Sequence, residues 1–225
     1  YLRDVLKISN EKIRVVHRSV DVLRFHPDLV TPDRLIRMSA RWRAPDGATI
    51  VLLPARLTRW KGHRVLIEAM ASLRNPNLFA VLQGSDQGRH KYARELLALV
   101  RKLGLEGQVR LVDHDPDLPA MYRAAHIIVS ASTDPEGFGR VAIEGMAMGR
   151  LVVATSHGGA RETIIDGVTG WLVPPADPLA LARVLTDIMA MSDAERAAVS
   201  ARAVDRSCGA PFFARKIHGG DLARL

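Results

Sequence analysis

Asp134-Pro135-Glu136-Gly137-Phe138-Gly139-Arg140-Val141-Ala142-Ile143-Glu144-Gly145-Met146-Ala147-Met148-Gly149 is the stretch on which the reading of this chain turns. The apolar run Ile127-Ile128-Val129 precedes it and Leu151-Val152-Val153-Ala154 follows it. This pattern predicts a strand, a glycine-punctuated loop, a short apolar helix and a second strand. Glu144 is the one acid in that helix, and carboxylates are rarely buried without a partner. Its partner therefore bears directly on function.

Outward from this unit the same alternation repeats. Strands are predicted at Thr49–Leu53, Leu78–Gln83, Val109–Val112 and Trp171–Val173. Helices are predicted at Thr31–Trp42, Lys61–Leu73, Gly88–Leu103, Asp117–Ala125, Gly158–Ile165 and Pro178–Met191. Ser192 caps a last helix, with Glu195 at capping-box distance. Residues 1–12 read as the tail of a helix, Ile13–Val16 as a short strand, and 208–225 are ambiguous. Short apolar strands alternating with amphipathic helices imply an α/β domain, a Rossmann-like doubly wound parallel sheet. Its ligand belongs beyond the carboxyl ends of the strands.

The 225 residues, 48% hydrophobic, are ample for a large core. The chain opens at Tyr1, which reads as a fragment of something longer. No apolar run approaches the roughly 18 residues of a membrane span, and no signal peptide opens it. A single cysteine, Cys208, excludes an intramolecular disulfide framework and a cysteine metal cage, and fits a reducing compartment. The charge is uneven: residues 1–64 hold 14 Lys+Arg against 6 Asp+Glu, and the remainder is balanced. A basic first quarter suits anionic lipid, an anionic ligand or plain solvation. Nucleic acid is disfavoured, because aromatics and a recognition-helix pattern are lacking.

At the strand ends, Arg56 and Lys61 flank the first loop. Two cations beside a helix start suit a diphosphate; alternatively Arg56 pairs with a local acid and Lys61 is solvated. The loop has neither a Walker A nor a Gly-x-Gly-x-x-Gly pattern. Gly84 either lets a ligand approach the backbone or simply turns the chain. Asp113-His114-Asp115 contains an Asp-x-Asp, which reads as a metal holder or, with Asp117, as capping residues. His126 reads as structural. Amides of Gly137, Phe138 and Gly139 can face an anion. Glu136 and Glu144 flank it, and a carboxylate matches a vicinal diol. The other reading for Glu144 is an ion pair with an arginine such as Arg161. Glu162 reads as a cap or supporting residue.

These motifs resemble the C-terminal domain of a family-four glycosyltransferase of the GT-B fold. Glu136 to Glu144 is similar to that family's Glu-x7-Glu signature. Arg56-Leu57 to Lys61-Gly62, Gly158-Gly159-x-x-Glu162 and Asp166-Gly167 to Pro174-Pro175 follow its other stretches. Four motifs in order carry the resemblance, from about Ile13 to Arg206. The resemblance implies a retaining transfer of sugar from a nucleotide diphosphate sugar, without cofactor or bound metal. Arg56 and Lys61 would meet the diphosphate and Glu136 the sugar hydroxyls. Phe138 and Gly139 amides would meet the sugar and distal phosphate, and Glu144 the ribose. Gly84, Asp113 and His114 would flank the base.

The details most resemble enzymes of bacterial lipopolysaccharide or surface-glycan synthesis. They imply a glycan or lipid-linked acceptor and a cytoplasmic location, at the inner face of the membrane if the basic quarter meets lipid. The implied organisation is a remnant of the preceding region at 1–20, the donor domain at 21–206, and a tail at 207–225 crossing towards an N-terminal domain. Arg18-Ser19-Val20-Asp21, His126, Gly145 and Leu151 depart from the pattern; none is a charged site position. A GT-B sugar-nucleotide epimerase, against which the Glu-x7-Glu spacing argues, and a non-catalytic binding domain are the competing readings.

Overall fold

A computed structural model describes residues 5–7, 9, 19–88 and 90–209. The expected helix tail at 1–12, the strand at Ile13–Val16 and the crossing tail lie largely or wholly outside the described residues. Six strands form the sheet: β1 (Thr49–Pro54), β2 (Leu78–Gln83), β3 (Val109–Val112), β4 (Ile127–Ser130), β5 (Leu151–Thr155) and β6 (Trp171–Val173). Their order is β3-β2-β1-β4-β5-β6 and every pairing is parallel. Chain order reverses between β1 and β4, which pair through Val51↔Ile127 and Leu52↔Ile128. That is the crevice where an open parallel sheet takes its ligand.

Strand periodicity splits the apolar residues between two cores. Val51, Leu53, Ala80, Leu82, Ile127, Val129 and Val153 face the side covered by α2 (His63–Leu73), α3 (His90–Lys102) and α7 (Pro178–Ala190). Ile50, Leu52, Phe79, Val81, Ile128 and Val152 face α1 (Pro32–Trp42), α4 (Leu118–Ala124) and α5 (Arg140–Ala147). The brief α6 (Ala160–Thr163) and the long α8 (Asp193–Cys208) complete the fold. With both faces covered, the central strands are largely apolar, which is why they read as continuous runs.

Local chemistry sets the helix starts. Asp117 caps α4 by accepting from the Ala120 amide, Asp177 caps α7 in the same way, and Ser192 with Glu195 forms the expected capping box. Thr31 precedes Pro32 at the start of α1 but makes no side-chain cap bond. Two boundaries differ from expectation. Lys61 lies in a 3-10 turn, Arg59–Lys61, closed by left-handed Gly62, and α2 begins only at His63. The helix after Gly158 is short, with its first residue at Ala160.

Some of the first quarter's positive charge holds α1 to α4 and the loop before it. Arg34 pairs with Asp117, and Arg41 with Asp115 at 2.8 Å. Trp42, fully buried at the end of α1, donates its indole N–H to Gln83 Oε1 at 2.8 Å. Among the described residues no helix is long and apolar enough to cross a membrane.

Gly84 is needed chiefly for contact within the protein. A Cβ there would lie 1.9 Å from the Ala55 carbonyl oxygen, so backbone meets backbone between the β1 and β2 loops. Gly62 packs in the same manner against Ala131. Gly84→Ala is expected to lower stability by about 1–3 kcal/mol through overpacking. Gly107→Ala, with open space around it, should stay within about 0.5 kcal/mol. Urea denaturation of the two variants measures the contrast.

Candidate functional site

The loops at the carboxyl ends of the strands enclose one cleft of about 900 Å³. Nine of the ten residues nominated from the sequence line it: Arg56, Lys61, Gly84, His114, Glu136, Gly137, Phe138, Gly139 and Glu144. Asp113 does not; it is exposed, and its carbonyl accepts from Arg41. Asp115, the other half of the Asp-x-Asp, is taken up by Arg41 and the Asp117 amide. The described residues contain no group of three side chains placed to hold a metal.

β1 delivers Arg56 and Lys61, and β4 delivers Ser132 and Glu136. Lys61 Nζ donates to Glu136 Oε1 at 2.6 Å, with side chains only 13% and 17% exposed. Ser132, at the end of β4, donates to the same carboxylate oxygen. Lys61 is therefore not solvated; two nominated residues are each other's partner. Arg56 is exposed and has no acidic partner among the described residues. His63, just beyond Lys61, is buried and its pKa is pushed down to about 4, first by desolvation. His63 is therefore neutral at neutral pH, and the basic side chains of this turn are Arg56, Arg59 and Lys61.

The Glu136 loop is held from behind. The Gly159 amide donates to the Glu136 carbonyl at 2.9 Å, which ties this loop to the Gly158-Gly159 turn. Gly139, with φ of 73°, is the N-cap of α5, and no heavy atom beyond its chain neighbours lies within 4 Å of where a Cβ would stand. Gly137, Phe138 and Gly139 at that helix start line the cleft, where peptide dipoles favour an anion. Arg140 and Glu162 also line the cleft.

Glu144 has a partner that the sequence did not disclose. Tyr122, only 1% exposed on α4, donates its hydroxyl to Glu144 Oε2 at 2.7 Å. Arg161 instead donates to the Ser156 carbonyl, so the alternative ion pair with Glu144 is not formed. Burial raises the Glu144 pKa; the Tyr122 hydrogen bond, then Arg140 and Arg24, act in the opposite sense. The Tyr122 pKa is pushed well up, first by burial and then by the Glu144 charge, so at neutral pH the phenol is a donor. Orientation by Tyr122 leaves Glu144 acceptor capacity for a ligand hydroxyl pair.

His126 is structural as expected: its Nδ1 accepts from the Ile50 amide at 2.9 Å. Sequence reasoning missed Tyr122, Ser132 and Gln83. Gln83 had a signal, as the one polar residue of the strand Leu-Phe-Ala-Val-Leu-Gln. Ser132 followed the apolar run of β4 four residues before Glu136. Tyr122 gave none, because its partner lies 22 residues away on another helix.

The family described as glycosyl transferases group 1 matches residues 36–205. A D-inositol 3-phosphate glycosyltransferase of Xylanimonas cellulosilytica is 37% identical over 207 residues, covering 88% of this chain and 48% of that protein. A glycosyltransferase structure from Rickettsia africae superposes with a TM-score of 0.84 at 34% identity, over 92% of this chain and 55% of the other. An Anabaena protein, HepE, solved with UDP and glucose, gives 0.80 at 28% identity, over 89% and 53%. The chain spans about half the length of the curated relatives it matches. It belongs to the group 1 glycosyl transferases, and its sheet is one half of their GT-B fold.

Raised pKa has a definite sign for stability. The folded state keeps the Glu144 proton at pH values where the unfolded chain has lost it, so this carboxyl's contribution is fully present in acid and is lost as pH rises through its folded pKa. Glu144→Gln is therefore expected to raise the thermal midpoint at about pH 8 relative to wild type, with the advantage vanishing towards about pH 4. Calorimetric scans across pH measure it.

Proposed function

We propose that the cleft binds a nucleotide diphosphate sugar and that the chain is the donor half of a retaining glycosyltransferase. The observation that carries this reading is the convergence of Arg56, Lys61, Glu136, Glu144 and the start of α5 on one cleft at the β1/β4 crevice. Cations and helix-start amides suit the diphosphate, and carboxylates on either side suit a ribose and a hexose. The UDP and glucose in the Anabaena relative support the same ligand class.

In this reading the Lys61–Glu136 pair is exchanged when donor binds. Lys61 turns to phosphate, and Glu136, still held by Ser132, turns to sugar hydroxyls. Glu144, oriented by Tyr122, accepts from the ribose diol. As the glycosidic bond breaks, negative charge grows on the diphosphate. In this reading Arg56, Lys61 and the Phe138 and Gly139 amides stabilise it, as preorganised donors do most effectively. These groups supply the charge compensation without a metal or other cofactor.

The full enzyme transfers the sugar to a glycan or lipid-linked acceptor at the cytoplasmic face of the membrane, in lipopolysaccharide or surface-glycan synthesis. The curated relatives favour a second acceptor class, since they are named for D-inositol 3-phosphate. Assay of the full-length protein with UDP-, GDP- and ADP-sugars against both acceptor types decides between them. Failure to turn over or hydrolyse any donor, with nucleotide still bound, would leave a binding domain only.

Two substitutions test the site itself. Lys61→Ala should weaken UDP binding about tenfold or more, the scale of a lost charge-assisted contact. Glu136→Ala should weaken a nucleotide sugar but leave bare UDP as tight or tighter, because it frees Lys61. Calorimetry on folded variants measures both, and an equal loss for UDP and the UDP-sugar would contradict the sugar role of Glu136.

A further inference from the structure

Gln83 closes β2 and is only 2% exposed, yet it lines the cleft. Its carbonyl is committed: Oε1 accepts from the indole N–H of fully buried Trp42 at 2.8 Å. Because an indole only donates, this bond fixes which way round the amide sits. The Nε2 amino group is buried and has no acceptor among the described residues. Thr58 and His157 also hold buried side-chain atoms without a hydrogen-bond partner among the described residues, but neither lines the cleft. An orphaned buried donor is costly, so a donor left over on a ligand cleft points to an acceptor on the ligand.

The sheet order says which part of the ligand lies there. Reading along the strand ends, Glu136 follows β4, Arg56 and Lys61 follow β1, Gln83 ends β2, and His114 follows β3. Three inter-strand spacings make a span of about 14 Å. With the sugar at Glu136 and the diphosphate at Arg56 and Lys61, the strand ends of β2 and β3 are left for the base. Gln83 shares its sheet face with Phe79 and Val81, the face that α4 covers and from which Tyr122 meets Glu144.

We propose that Gln83 is a base-selecting residue: its amide N–H donates to a carbonyl oxygen of the donor's base, favouring an oxo base, uracil or guanine, over adenine. Uracil and guanine both carry an exocyclic oxygen acceptor, where adenine carries an amino donor. Facing the Gln83 amino group, adenine leaves two donors opposed, and a site built to pair a polar group discriminates strongly when that group is left unpaired. Trp42 is the positioning residue, since it holds the amide with its donor side available. This assignment rests on the nucleotide-sugar reading of the cleft.

Calorimetry of UDP, GDP and ADP binding to the chain and to Gln83→Glu is the test. Glutamate keeps an oxygen for Trp42 and replaces the amino donor by oxygen. The expected result is wild-type preference for UDP or GDP over ADP by about tenfold or more, with that preference lost in Gln83→Glu while Glu144→Ala weakens all three alike. The UDP and GDP arms identify the base. Titration of wild type with 2-thio-UDP and 4-thio-UDP, or with 6-thio-GDP if GDP is preferred, removes reliance on a variant that fails to fold. Sulfur in place of the accepting oxygen should cost about tenfold.

Unchanged selectivity in folded Gln83→Glu, or thio analogues that bind as tightly as their parents, overturns the role of Gln83 and leaves the site reading standing. Wild-type preference for ADP does the same. No binding of any of the three nucleotides overturns both.

Discussion

The short pairing of β1 with β4 is the constraint on which the site depends. These strands are more than 70 residues apart in sequence, and they meet through Val51↔Ile127 and Leu52↔Ile128. Their loops open in opposite directions along the sheet and so leave a crevice between them. Into it β1 brings Arg56 and Lys61 and β4 brings Ser132 and Glu136. The resulting Lys61–Glu136 contact is partly buried, where unpaired charge is expensive. Each group makes the other tolerable, and in the proposed reading a ligand with both phosphate and hydroxyls takes the place of each partner.

Glu144 shows a different solution to the same problem. Its environment penalises ionisation, and a neutral phenol eases that penalty without neutralising the charge. An arginine there would bind the carboxylate more strongly and compete with a diol for its lone pairs. Tyrosine orients the group and leaves it available. The cost appears as reduced stability at neutral pH, a trade common where function needs a poised charge.

The fold was legible in the sequence because strands covered on both faces are mostly apolar, so each stands out as an apolar run between turn signals. The charged site positions were legible because the resemblance attached them to strand ends, where an open parallel sheet gathers its loops. What stayed hidden is what only tertiary structure creates. Tyr122 and Glu144 are joined across two helices, Arg34 and Asp117 across 83 positions, and Trp42 and Gln83 across 41. Asp113 stands outside the cleft lining for a similar reason: Arg41, from a helix far upstream, binds the carbonyls of Asp113 and His114 and the Asp115 side chain. The start of α2 moved because left-handed Gly62 interrupts what periodicity reads as one helix.

The glycine contacts at the strand ends carry a consequence for how such a cleft can diversify. At Gly62 against Ala131 and Gly84 against Ala55, neighbouring loops touch main chain to main chain, with no space for even one added carbon. The floor of the cleft is thus cast by backbone and offers no slack for an inserted residue. Exposed side chains that stand on that floor, such as His114 and Arg140, carry no such burden. A lineage that changes its donor can do so by exchanging those side chains one at a time, while the lengths of these loops stay as they are.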